Sequence, residues 1–188
     1  MYLWIDLETT GLDPDNDRII EIGWFLTDGL QEVTEPQSVL ITISPAGQEL
    51  MDQDMFVKTM HTENGLLDDM KNFGSIMIED AEDQILEDLY KVEFDTLVLA
   101  GSSVHFDRGF IRNWMPRLDE KLSHRHFDVS VLRMFFDNVL TAENPLGNDH
   151  VTKHRALEDV VASHQIASIY GELVHAMGLA YINIVKDI

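Results

Sequence analysis

Three stretches of the chain carry acids and a histidine at spacings that could hold an ion. Asp6-Leu7-Glu8 closes a short aromatic and β-branched run, and the two-residue period of a strand puts both carboxylates on one face. Like charges side by side raise the cost of ionising both unless a divalent cation neutralises them. Asp107 follows the apolar run Thr96–Gly101 and precedes Phe110, Ile111 and Trp114 at helical spacing, so its carboxylate tops an inward-looking stripe. An acid there is expensive without a partner. His154 and Asp159 form H-x4-D at the head of the last long helical segment, with Asp159 in a row with Ala162, Ile166 and Leu173. A histidine on a mobile segment beside acid-held cations is what the activation of water requires. Each residue also has an ordinary reading. Asp6 and Glu8 could end a strand in a solvated turn, Asp107 could complement a helix N-terminus, and His154 could be an exposed loop residue. Taken singly those readings win, and the order of the set along the chain is what favours chemistry.

The elements that must carry these residues are legible as strands and helices. Tyr2–Leu7, Ile19–Leu26 and Ser38–Ile43 read as strands, with the turn-rich Gly11–Asp17 joining the first two. Helical spacing predicts helices over 48–57, 62–72 and 79–92, with Gly65 and Gly74 as breaks. Thr96–Gly101 reads as a strand buried on both faces, followed by a helix over 105–115 that ends at Pro116. A strand over His126–Val129, a helix to Leu140, a mobile loop over Thr141–Lys153 and a helix over 154–176 complete the pattern. Leu179–Val185 is a last apolar segment, helix or strand. Three strands in hairpin order, then strands alternating with helices, describe an α/β fold with a mixed sheet. At 188 residues with 45% hydrophobic content, residues 1–188 are expected to form a single domain.

Composition narrows the chemistry. The chain has no cysteine, which removes disulfides, zinc ribbons and thiol nucleophiles and leaves carboxylates and histidines as ligands suited to hard ions. No apolar run is long enough to span a bilayer, and MYLWIDLETT lacks the basic and apolar regions of a secretory signal, so a soluble cytoplasmic protein without a membrane partner is expected. The net charge of −21 argues against a grip on long nucleic acid, and it is explained equally well as solubility. Asp13, Asp15 and Asp17 imitate a calcium loop, but Arg18 and Trp24 occupy the positions that need Gly and Glu. His124 and His126 lack a third ligand nearby in the sequence.

The ordered set Asp6, Glu8, Asp107, His154 and Asp159 resembles the DEDDh exonuclease superfamily. Over roughly residues 1 to 173 the likeness narrows to the oligoribonuclease family, through WIDLETTGLDPDNDRIIEIGWFLTD, MHTENGLLDDM, GSSVHFDRGFIRNWMPRL, HRHFDVSVL and HRALEDVVAS. That resemblance implies an RNase H-like mixed five-stranded sheet, its first three strands antiparallel, flanked by helices. It implies a 3′→5′ exoribonuclease that degrades short single-stranded RNA to mononucleotides. Asp6, Glu8, Asp107 and Asp159 would hold two Mg²⁺ or Mn²⁺ ions, with His154 as general base. Leu12 would wedge against the terminal bases and His61 would contact the substrate. Ser103, Arg125 and Ser130 would cap the 5′ phosphate as a length gauge. A homodimer is also implied. The chain departs from the family at Thr9 in ETTG, at Ser102 and at His124, which leaves DNA as an alternative substrate. A catalytically silent binding module that uses the acidic surface is the remaining alternative.

Overall fold

Alternation along the first strand divides the molecule into two layers. In a computed structural model that describes residues 1–140 and 152–186, β1 (Tyr2–Thr9) sends Leu3, Ile5 and Leu7 to one side of the sheet. Trp4 goes to the other side, and by strand geometry Asp6 and Glu8 follow it. β2 (Ile19–Asp28) lies antiparallel beside β1, with Asp6 opposite Gly23 and Glu8 opposite Glu21. β3 (Gln31–Glu32) and β4 (Gln37–Leu40) both pair antiparallel with β2. Between them the Val33 and Thr34 N–H groups both turn to the Leu26 carbonyl, which interrupts the edge. The five expected strands form, and the two-residue β3 adds a sixth.

The helical region divides differently from the sequence expectation. α1 (Pro45–Gln53), α2 (Met55–Glu63) and α3 (Leu66–Asn72) replace the helices expected over 48–57 and 62–72. The reason is local. Asp54 ends α1 in an extended conformation and caps α2, its carboxylate accepting from the Phe56 and Val57 N–H groups at 3.0 and 3.1 Å. Gly65, at φ +82, provides the left-handed turn before α3. His61 therefore rides on the last turn of α2. α4 (Ile78–Tyr90) leads to β5 (Leu97–Gly101), which pairs parallel with β1. α5 (Val104–Trp114) and α6 (Pro116–Asp119) meet at Pro116, which stops one helix and starts the next. β6 (Leu122–Asp128) pairs parallel with β5 and begins earlier than expected. α7 (Val129–Leu140) and α8 (Ala156–Lys186) close the chain, and Leu179–Val185 continues α8. Of the loop expected over Thr141–Lys153, residues 141–151 lie outside the described part.

The sheet order is β3-β2-β1-β5-β6, with β4 also on β2. One face packs Leu3, Ile5, Trp24 and Leu99 against α4, α5 and α6 through Ile85, Phe110, Ile111 and Leu118. The other packs Trp4 and Phe25 against α7 and α8 through Phe136, Val160, Ala167 and Tyr170. Each fully buried Leu, Ile or Phe contributes about 1.5–3 kcal/mol. Among the described residues no helix is long and apolar enough to cross a membrane.

Candidate active site

The C-terminal end of β1 is where the candidate acids meet, because β1 outruns its parallel neighbour. Pairing with β5 stops at Trp4 opposite Ala100, and β5 itself ends at Gly101, which lies so close to β1 that a Cβ there would sit 2.7 Å from the Ile5 carbonyl. Asp107, in the first turn of α5, fills the place of a partner strand: its carboxylate accepts the Leu7 N–H at 3.1 Å. Asp6 and Glu8 face the α8 layer, and Gly23 lets that helix come close. A Cβ on Gly23 would lie 2.5 Å from the backbone of Ala156, so only a glycine admits the start of α8 at this distance. Asp159 in the first turn of α8 is thereby set against the strand acids.

The segment before α8 folds back on Asp159, whose two oxygens accept the Lys153 and His154 N–H groups at 3.0 and 2.8 Å. His154 is left-handed at φ +54, which is why α8 begins at Ala156 and not at the expected 154. Its ring faces the acids: Glu8, His154 and Asp159 each offer a ligand atom within 4.8 Å of the others. Asp6, Glu8, His154 and Asp159 all line one cleft of about 390 Å³, while Asp107 sits behind them, buried.

This convergence is electrostatically strained. Burial first, then the charges of Asp107, Glu8, Asp159 and Glu21, holds the Asp6 carboxyl well above its ordinary range. Glu8 is pushed up to about 8 by burial and by Asp159, Glu21 and Asp107, with Arg155 opposing. Asp107 also rises to about 8 through burial, against the pull of backbone N–H groups that include Leu7. Such a set favours protons or cations, and all-oxygen donors with one imidazole suit a hard divalent ion.

The expected substrate residues separate into two groups. Leu12 stands at the rim, 78% exposed, and its loop is pinned to α5 by bonds from the Trp114 indole and the Asn113 amide to the Pro14 carbonyl. The aspartates of that loop bond one another's backbone and Thr10. His61 lines the cleft, fully buried: its Nε2 donates to the Thr9 carbonyl at 3.0 Å, and its Nδ1 lies 3.9 Å from Glu8. Nδ1 has no hydrogen-bond partner among the described residues, and burial pushes the imidazole pKa down. Ser103 lines the cleft at φ +57. Arg125, exposed on β6, and Ser130 do not line it. Ser130 is tied to Ser103 through Asp128, one of whose oxygens accepts the Ser103 N–H, the Ser130 N–H and the Ser130 hydroxyl.

Asp128 escaped the sequence reading, and so did Phe56. Phe56, 78% exposed, lines the cleft together with Met60 one turn on, while Val57 and His61 form the buried pair beside them. The i, i+4 spacing of 56/60 and 57/61 was the available signal, hidden by the misplaced helix boundary.

The chain matches known proteins over most of its length. The family described as Exonuclease, RNase_T, matches residues 3–167. A curated relative from Corynebacterium diphtheriae named oligoribonuclease is 38% identical over 86% of this chain and 77% of its own length. Another of that name from Chromobacterium violaceum is 33% identical over 90% of this chain and 93% of its own. Among solved structures, an E. coli exonuclease I–single-stranded DNA complex superposes with a TM-score of 0.53 at 19% identity, over 88% of this chain and 39% of that one. That last likeness carries the fold alone, which is RNase H-like. The family match and the relatives together make the chain an exonuclease, a phosphodiester hydrolase. More narrowly, the chain belongs to the oligoribonuclease family.

Proposed function

We propose that the chain is a single-domain, cytoplasmic 3′→5′ exoribonuclease that degrades short single-stranded RNA to mononucleotides. The observation that carries the reading is the gathering of Asp6, Glu8, His154 and Asp159 in one cleft, with Asp107 directly behind. Asp6, Glu8, Asp107 and Asp159 would hold two divalent cations, Mg²⁺ or Mn²⁺. Bound there, the ions neutralise the acids and supply Lewis acidity to the phosphodiester. His154 takes the proton of the attacking water as the bond from phosphorus to the 3′ oxygen breaks. Leu12 and Phe56, both on the rim, receive the terminal bases.

A small cleft at the low end of ligand-sized pockets fits a short substrate, and an acidic protein has little means of holding a long one. Ser103 on the cleft wall, with Ser130 joined to it through Asp128 and Arg125 exposed on β6 beyond the cleft, would form the phosphate cap. Thr9, whose identity points toward DNA, lines the cleft with its hydroxyl donated to the Gly11 carbonyl at 2.7 Å. The reading includes a homodimer, supported by the exposed apolar row Val131, Met134, Phe135 and Val139 on α7. The decisive assay incubates the protein with Mn²⁺ and 5′-labelled RNAs from dinucleotides to long oligomers, beside matched DNAs. Fastest turnover of the shortest RNAs is expected. Equal rates at all lengths would refute the short-substrate reading, preference for DNA would refute the RNA reading, and no cleavage would leave the silent binding module.

A further inference from the structure

Arg155 takes no part in the proposed chemistry, yet it joins three elements just where His154 enters the cleft. Its Nε and Nη2 donate to the two carboxylate oxygens of Glu21 at 3.2 and 3.1 Å, and its Nη1 lies 2.8 Å from Asp69 of α3. The Ala156 N–H donates to the same Glu21 carboxylate at 3.0 Å. Glu21 is buried on β2 directly opposite Glu8, and cross-strand partners share a face of the sheet. The grip therefore registers the turn before α8 to the strand position that carries a site acid.

The turn needs such a hold. His154 has a left-handed backbone, which is unfavourable for a residue with a Cβ and persists only where the surroundings over-determine it. Asp159 takes the N–H groups of Lys153 and His154, and the Asn64 side-chain amide donates to the His154 carbonyl. These bonds fix the ends of the turn to α8 and to the end of α2. The Arg155 guanidinium adds the tie to the sheet itself. A buried ion pair is weak evidence for stability, since apolar replacements often serve as well, so its placement is better read as geometry.

We propose that Arg155 is a positioning residue: gripped by Glu21 and Asp69, it holds the His154 turn so that the imidazole stands beside Glu8 and Asp159. The proposal rests on the reading of His154 as the general base. The test measures kcat and KM on an RNA dinucleotide for Arg155→Lys and Asp69→Asn, each made in the parent and in a His154→Ala background, with melting temperatures for all. Arg155→Lys keeps the charge and loses the two-pronged grip. It is expected to lower kcat about tenfold with KM nearly unchanged, the scale of a small misplacement of a reacting group. In the His154→Ala background the same change is expected to cost nothing further, since its effect passes through the missing ring. Asp69→Asn, on a partly exposed side chain, gives a smaller loss of the same kind and keeps the test decisive if Arg155→Lys lowers the melting temperature. Equal fractional losses in both backgrounds would overturn the positioning role alone. Parent-like activity in His154→Ala itself would overturn the general-base reading and the proposal with it.

Discussion

Replacing Glu8 by Gln should change how the metal-free protein responds to pH. Glu8 is almost fully buried and its carboxyl is pushed from 4.5 to about 8. The folded state therefore holds this proton more tightly than the unfolded chain, and stability falls as pH rises through the window from 4.5 to about 8. At about 1.36 kcal/mol per pH unit the difference amounts to about 5 kcal/mol as an upper bound. Part of that repulsion comes from Asp159, Glu21 and Asp107, which adjust when Glu8 ionises, so about 2–5 kcal/mol is the expected loss. Urea unfolding in chelator at pH 5 and at pH 8 measures it. The parent should lose stability between the two, and Glu8→Gln should lose less by about 2–3 kcal/mol, because one proton over this pH window accounts for at most about 3.5 kcal/mol. Saturating Mg²⁺ or Mn²⁺ at pH 8 should restore the parent more than the variant, because ligation favours only the folded state. Identical pH dependence in parent and variant, or a parent that gains stability toward pH 8, would refute the reasoning.

Two further substitutions probe the cleft from opposite sides. Phe56→Ala removes an exposed ring from the rim, so unfolding free energy should move by no more than about 0.5 kcal/mol. Loss of base stacking worth about 1–3 kcal/mol should raise KM for an RNA dinucleotide about 5- to 100-fold, and an unchanged KM would exclude Phe56 as a platform. Gly23→Ala puts a methyl 2.5 Å from the Ala156 backbone and must push α8 off β2. A cost of about 1–3 kcal/mol is expected in thermal unfolding, together with a fall in kcat, and a variant with parent kcat would show that α8 tolerates the displacement.

Much of the architecture was legible because period-two and helical spacing report directly on which face is buried. β1 and its acids, β5 and the helix bearing Asp107 all follow from alternation and apolar stripes in the sequence. The α1–α3 region was misread because its boundaries depend on single residues. Asp54 reads equally well as a helix-interior acid and as a cap, and the helix expected over 62–72 runs through Gly65, the residue expected to break it, whose positive φ separates α2 from α3. With the boundary misplaced, Phe56 lost its relation to Met60, and Val57 its relation to His61. Long-range partnerships were not legible at all. Nothing in sequence spacing joins Glu21 to Arg155, or Asp128 to Ser103 and Ser130, because those bonds depend on strand register and on the parallel placement of β6.

The element order leaves the candidate site without a local origin. Its first acids come from the opening strand, Asp107 from the middle of the chain, and His154 and Asp159 from the start of the last helix. On the proposed roles, a chain emerging from the ribosome carries Asp6 and Glu8 long before it can cut anything. On the same roles the set is complete only with the start of α8 in place over Gly23, where Asp159 and His154 meet Glu8. Loss of α8 would take Asp159 away from the strand acids while leaving Asp6, Glu8 and Asp107 on elements of their own.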